Sequence, residues 1–258
     1  MVAEPSNAAS SGASNDLDAA RTRSAFRRSA RSGSLTNFKL SERDRAVLVH
    51  LVRFGALRLD QVARRFFPSL RAARDRLAKL IAAGQVGRGP LETYTATERG
   101  TRSADIGLPR ANVGAGLLVH NLAVADLADW LLAKEPGSEW VTERELRREA
   151  AQQTRAFGGA RLSDGGRYSE GEHIPDGVLV TATARVAIEL ELSPKPRLEY
   201  ERICRWYVRA IEFTTVRWYV RGQALMRRLK EFVERYDLAE CMSVEPLPDD
   251  VRVLRWTA

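Results

Sequence analysis

Four residues in the second half of the chain have side chains and spacing suited to phosphate chemistry. Pro175-Asp176 lies in one β-rich run, Ile174 to Thr181, and Glu189-Leu190-Glu191 in the next, Val186 to Leu192. Side chains alternate across a strand, so Glu189 and Glu191 share one face while Ile188, Leu190 and Leu192 take the other. Two carboxylates on a covered face are costly, because desolvation and mutual repulsion both oppose ionisation. A divalent cation would remove much of that cost. Oxygen ligands from Asp176, Glu189 and Glu191, completed by water, suit Mg²⁺ or Mn²⁺. Such an ion polarises a phosphodiester and generates hydroxide from water. Lys195, beyond Pro194, would add a positive charge from the strand end to stabilise a transition state. The competing account is an edge strand with a polar outer face after an ordinary Pro-Asp turn.

The elements that must position these groups follow a mixed α/β order. A loop containing Pro109 and Gly114 leads to a long helix from about Leu117 to Lys134. A short segment around Trp140, a helix from Glu143 to about Ala151 and a polar Gly-rich stretch over 158–171 come next. After the two β-rich runs, the pattern predicts a helix over Arg197–Ile211, a strand over Thr214–Val220, a helix over Gln223–Tyr236 and a last strand over Val251–Trp256. Helix, strands, helix, strand is the core order of restriction-endonuclease-like folds. Within it, Asp176 and Glu189 resemble the Asp and the first Glu of the PD-(D/E)XK nuclease motif. The Lys usual two residues after that Glu is Glu191 here, a position where some restriction enzymes of the fold also work with Glu. Thr142-Glu143-Arg144-Glu145 has capping-box spacing, which makes Glu145 a helix cap and Glu143 a weaker candidate for the site. His120, on a mostly apolar helix, reads as a core or interface histidine. His173 reads as a loop histidine able to orient water or phosphate. Tyr200 with Arg202, Arg205 and Arg209 forms either a phosphate track or a solvated face.

The first third has a different texture. Ser41 can cap a helix whose apolar positions Ala46, Val47, Leu48, Leu51, Val52 and Phe54 give one buried side before Gly55. A short helix over roughly Leu59–Phe67 follows, then Pro68 breaks the chain and Ser69 caps a third helix stopped by Gly84. In that third helix Leu70, Ala73, Leu77, Leu80 and Ile81 form an apolar stripe, and Arg71 and Arg74 occupy another face. Val86-Gly87-Arg88-Gly89-Pro90 and the alternating Thr93–Thr97 read as a hairpin with an arginine near its tip. Three helices and a hairpin resemble the winged-helix regulators, whose third helix enters the major groove while the hairpin touches the backbone. Leu77-x-x-Leu80-x-x-x-Gly84-x-Val86 and Tyr94-x-x-Thr97-x-x-Gly100 carry that resemblance. It implies that Arg71, Arg74 and Arg88 contact DNA. The alternative is a set of solvated arginines on a protein-binding domain.

Composition is consistent with this. The chain has 258 residues, 44% of them hydrophobic, which excludes wholesale disorder. Net charge is +8, and 36 of the 41 basic residues are Arg, whose planar fork suits phosphates and guanine edges. Residues 1–38 are expected as a disordered tail, made basic by Arg21, Arg23, Arg27, Arg28 and Arg31. Cys204 and Cys241 stand far apart, which argues against a disulfide framework or a zinc site. The opening lacks the apolar run of a signal peptide, and the apolar window Ala115–Ala133 is interrupted by His120, Asn121, Asp126 and Asp129, so a cytoplasmic, nucleoid- or plasmid-associated protein without a membrane partner is expected.

Together these features resemble the replication-relaxation family of plasmids and conjugative elements, a winged helix joined to a restriction-endonuclease-like domain. The shared points are Tyr94 to Gly100, His120-x-Leu122-x-Val124, Trp140-x-x-Glu143-x-Glu145-Leu146-Arg147, Ile174-Pro175-Asp176-Gly177 and Ile188-Glu189-Leu190-Glu191. The resemblance implies an α+β chain of two domains: tail 1–38, winged helix-turn-helix 39–104 and nuclease-like domain 105–258. It implies a role in replication, mobilisation or maintenance of a mobile element, with double-stranded DNA as partner and no small-molecule cofactor. The rival expectation is a non-enzymatic regulator or replication accessory factor whose second domain forms a homodimer or recruits a partner. Trp206, Tyr207, Trp218 and Tyr219 are then the candidate dimer surface, although aromatic residues at such positions are more often core.

Overall fold

The computed structural model describes residues 38–156 and 173–254, and Leu40–Ala258 forms one compact unit. The expected tail (Phe38 apart) and the Gly-rich stretch 158–171 lie outside the described residues.

Local sequence sets the first elements. Helix α1 (Glu42–Phe54) starts in a capping box: the Ser41 hydroxyl accepts from the Asp44 N–H at 3.2 Å, and Asp44 accepts from the Ser41 N–H at 2.8 Å. Gly55 ends it at φ 83°, where a side chain would be strained. The two-residue strand β1 (Leu57–Arg58) and helix α2 (Leu59–Phe66) follow. Ser69 then caps α3 (Leu70–Ala82) by accepting from the Ala72 N–H at 3.2 Å. Ala73, Leu77 and Leu80 are buried as their spacing predicts, whereas Leu70, in the first turn, is 50% exposed and lies off the stripe.

Strands β2 (Val86–Arg88) and β3 (Thr93–Ala96) form the expected hairpin, and β1 joins its other side in the order β1-β3-β2. The turn places Leu91 and Glu92 at φ 52° and 54°, a left-handed conformation unfavourable for both. Leu91 packs against the apolar cluster of Ala56, Leu118 and Leu122. Thr97 caps α4 (Glu98–Ala104), an element the pattern did not announce. Gly100 in it is obligatory, because a Cβ there would lie 2.0 Å from the Gln85 carbonyl oxygen.

The second sheet holds the acidic residues. Helix α5 (Ala115–Lys134), strand β4 (Glu139–Thr142) and helix α6 (Glu143–Ala156) precede strands β5 (Gly177–Val180) and β6 (Arg185–Glu191). Helix α7 (Arg197–Tyr207), strand β7 (Thr215–Val220), helix α8 (Gln223–Arg235) and strand β8 (Met242–Pro246) complete it. The order is β4-β5-β6-β7-β8; β4, β5 and β6 run antiparallel, while β6, β7 and β8 are parallel. Parallel neighbours need crossovers, which α7 and α8 supply. The chain is therefore mixed α/β with two sheets.

Two expectations are corrected. The last strand among the described residues is β8, and 251–254 form none; Trp256 lies outside them. Pro248-Asp249-Asp250 turn the chain away after β8 has paired with β7. The four aromatic residues proposed as a dimer surface belong to the core. Tyr207, Trp218 and Tyr219 are buried, and Trp206 packs against the same cluster. Helices cover both faces of β7, so Trp218 meets Tyr200 of α7 and Tyr219 meets Trp130 of α5, with ring centroids 6.0 and 6.1 Å apart.

Helix α5 is long and apolar enough to cross a membrane by length and composition, yet half of that window is buried in the fold. Its buried Asp126 is surrounded by donors. Arg58 Nη2, Gln61 Nε2 and Arg64 Nη2 donate to it at 2.8, 2.9 and 2.7 Å, and the Arg252 N–H at 3.3 Å. A second link runs from Arg53 of α1, whose guanidinium donates to both carboxylate oxygens of Glu145 at 2.9 and 3.0 Å.

Two outcomes are expected from this packing. Asp126→Ala removes the acceptor shared by Arg58, Gln61 and Arg64, leaving Asp60 as the counter-charge of Arg58, and should cost about 1–3 kcal/mol in urea unfolding; a wild-type midpoint would remove the joint's energetic role. His50 is buried between Phe54 and Phe66, and burial, then Arg65 and Arg53, push its imidazole down to about 2. An unfolded histidine takes up a proton near pH 6.5, so stability is full above that pH and declines below it by up to about 1.4 kcal/mol per unit. Melting curves of wild type should fall more steeply from pH 6.5 to 4.5 than those of His50→Leu.

Candidate functional site

The Asp176 side chain lies at the start of β5 and reaches across to β6. Gly177 pairs with Ile188, and one step further the Asp176 Oδ2 accepts the Leu190 N–H at 2.8 Å, in place of a backbone carbonyl. Gly177 is required beside it, because a Cβ there would lie 2.0 Å from the Trp140 ring. Pro-Asp-Gly is thus a packing motif as well as an acid-bearing one.

Each acid has a basic or hydroxyl partner. His120 of α5 donates through Nε2 to Asp176 Oδ1 at 2.9 Å. Glu189 Oε1 lies 2.5 Å from His173 Nε2 and accepts from the Tyr207 hydroxyl at 2.5 Å. Lys195 Nζ meets Glu191 Oε2 at 2.9 Å, and the Lys195 N–H donates to the Tyr200 hydroxyl at 2.9 Å. Glu189 and Glu191 are both buried, as a covered strand demands.

Electrostatics follow from that pairing. Burial pushes the Asp176 carboxyl up, but the His120 charge and hydrogen bond, with the Leu190 N–H and Lys195, outweigh it and hold it below the usual range. Burial opposes charge on His120 and His173, yet Asp176 and Glu189 respectively raise both above the ordinary imidazole value. Glu191 is raised by burial and by Asp176 and Glu189, against the lowering effect of Lys195. The Tyr207 hydroxyl, buried against Glu189, is raised well above its ordinary value.

Asp176 and His120 face a small cleft of about 30 Å³, which Asn121, Glu143 and Arg144 also line. Glu143 pairs with Arg147 on its own helix. Glu145 forms the capping box with Thr142, accepting from its N–H and hydroxyl at 2.8 Å each. Sequence reasoning placed Asp176, Glu189, Glu191 and Lys195 together and missed the histidine partners. A polar residue on an apolar helix was the available signal for His120, since a buried polar group needs a partner. A Mg²⁺ or Mn²⁺ ion does not fit these acids as they stand: among the described residues no three His, Cys, Asp or Glu side chains converge as ligands, and both Asp176 oxygens are engaged.

The expected DNA contacts lie elsewhere in the fold. Arg71 and Arg74 are exposed on α3, and Arg88 is exposed at the end of β2. Arg76 of the same helix is instead tied to Asp44 of α1, its Nε donating at 2.6 Å.

No family model matches this chain, and no curated protein matches it. Solved structures give weak likenesses. One is an O-methyltransferase family protein from Burkholderia thailandensis, 12% identical over 92% of this chain and 65% of that one, with a TM-score of 0.19. Another is the restriction endonuclease FokI bound to DNA, 13% identical over 81% of this chain and 44% of that one, with a TM-score of 0.24. The riboflavin-derivative dimethyltransferase RosA from Streptomyces davawensis is 11% identical over 91% of this chain and 67% of that one, with a TM-score of 0.20. The chain spans just under two thirds of the first of these structures. Superpositions this loose assign neither fold family nor function.

Removing the acid at the sheet should be felt in stability. Asp176→Ala leaves the Leu190 N–H and His120 without their acceptor and should cost about 1–3 kcal/mol, whereas Asp176→Asn keeps an acceptor and should cost less. Chemical denaturation of both variants checks this, and equal, wild-type midpoints would show that the carboxylate has no structural part.

Proposed function

We propose that this chain is a duplex-DNA-binding protein of a mobile genetic element, with a winged helix-turn-helix as its reading head. Behind it lies a restriction-endonuclease-like core whose acids are held in ion pairs. The observation that carries the reading is the split among the arginines of α3. Arg76 is spent on Asp44, while Arg71 and Arg74 project outward beside a hairpin that presents Arg88. An exposed face of arginines on the third helix, flanked by a hairpin arginine, is how such a domain meets a major groove and the adjacent backbone. Support for the core is the strand order β4-β5-β6-β7, three antiparallel strands followed through α7 by a parallel one, with Asp176 and Glu189 on adjacent strands. The mobile-element setting rests on the sequence resemblance to the replication-relaxation family.

A second reading, metal-dependent cleavage with Mg²⁺ or Mn²⁺, is favoured by one observation: Asp176 opens onto a cleft and is not sealed in the core. It requires His120, His173 and Lys195 to release the acids when an ion arrives. The pairing favours binding without cutting.

Fluorescence anisotropy with duplex DNA tests the reading head. Arg71→Ala, Arg74→Ala or Arg88→Ala should each weaken binding by about 1–3 kcal/mol where it reads a base, or lower the salt slope by about one where it meets a phosphate. Unchanged affinity and slope in all three would discard it. Supercoiled DNA incubated with Mg²⁺ or Mn²⁺ should stay intact; cleavage lost in both Asp176→Ala and Glu189→Ala would establish the nuclease reading instead.

A further inference from the structure

Helices α7 and α8 flank a groove of about 280 Å³, lined by Arg197, Arg228 and Arg235 with Glu231 and Phe232. It is remote in sequence from α3 and the β2–β3 hairpin, and the reading head does not account for it. One acid gathers several of its cations. Glu201 accepts from Arg197 Nε at 2.9 Å and lies 3.9 and 3.8 Å from Arg205 and Arg235. The hydrogen bond from Arg197, with the charges of Arg205 and Arg235, holds the Glu201 carboxyl below its usual range. Three guanidiniums around one carboxylate leave a positive excess. Arg228 adds to it, pairing with no carboxylate among the described residues.

The floor beneath these cations is aromatic. The Arg228 guanidinium sits 5.5 Å from the Tyr200 ring centroid, Arg205 5.9 Å from that of Tyr236 and Arg235 6.0 Å from that of Phe232. A guanidinium placed over a ring has one face occupied and keeps its in-plane N–H donors for a second partner. Those donors match phosphate oxygens in a bidentate manner. Arg197, Arg205 and Arg235 keep 58%, 67% and 53% of their side-chain surface exposed, so a ligand can reach them. Tyr200 connects the groove to the acids: its ring lies beneath Arg228 and its hydroxyl accepts from Lys195, whose ammonium pairs with Glu191.

We infer that the α7–α8 groove is a second anion track, which takes the sugar-phosphate backbone of duplex DNA while α3 and the hairpin hold another stretch. The inference rests on the duplex-binding reading above and adds a site to it. Each phosphate neutralised by this groove contributes about 0.9 to the slope of log affinity against log salt.

The test compares wild type, the Arg71→Ala/Arg74→Ala/Arg88→Ala variant, the Arg197→Gln/Arg228→Gln/Arg235→Gln variant and Glu201→Gln, all as full chain on one duplex of arbitrary sequence. Melting curves confirm folding. The groove variant should lose at least tenfold in affinity at 0.15 M salt and about 2–3 in salt slope. Glu201→Gln, which removes the competing carboxylate, should bind more tightly than wild type. A groove variant with wild-type affinity and slope, beside a weakened α3 variant, overturns the groove and keeps the reading head. A weakened groove variant beside an unaffected α3 variant does the reverse. If the groove variant unfolds, a Glu201→Gln chain that binds no more tightly than wild type overturns the inference. A wild type that leaves duplex unbound overturns both sites.

Discussion

The carboxylate of Asp126 is the group on which the arrangement of this molecule depends. Removing an ionised acid from water costs several kcal/mol unless its oxygens are well satisfied. Here Arg58, Gln61 and Arg64 supply three donors from β1 and α2, and the Arg252 N–H supplies a fourth from the C-terminal segment. Arg65 of α2 adds a parallel tie to Asp129, one turn along α5. Because α2 leads directly into α3, fixing it against α5 also fixes the helix that presents Arg71 and Arg74. The small sheet and the large one are thereby parts of one body.

The same economy of charge governs the large sheet, with a different result. Three acids face three bases, Asp176 with His120, Glu189 with His173 and Glu191 with Lys195, and Tyr207 adds a hydroxyl. Buried charge is compensated where it lies. Positive charge is correspondingly exposed on α3, at the hairpin end and in the α7–α8 groove. A protein with neutral interior clusters and positive rims attracts polyanions over distances set by the Debye length, with little demand on its core.

Much of this was legible from sequence where a local rule applied. Ser41 and Ser69 mark helix starts, Thr142 and Glu145 form the expected box, and β6 lies where alternation put it. What escaped was either too short or too distant. β1 has two residues, below any periodic signal, and β8 carries Ser243, Glu245 and Pro246 in place of a clean apolar alternation. The His120–Asp176 contact spans 56 residues and Arg58–Asp126 spans 68, so only the folded chain brings them together. The aromatic residues of α7 and β7 are core, the commoner fate of such rings, but residue type alone does not tell a core ring from an interface ring until the covering helices are in place.

Convergence of distant segments on Asp126 also bears on how such a chain can be rebuilt. In many regulators the recognition domain hangs from a linker and can be exchanged like a cartridge. Here the N-terminal helices and small sheet are keyed to α5 through β1, α2 and the backbone at Arg252. A graft that imports a foreign head would strand a buried acid, unless the donor brings matching arginines or the host gives up Asp126. If Arg71, Arg74 and Arg88 read DNA as proposed, new specificity is therefore better sought by altering them in place than by shuffling halves.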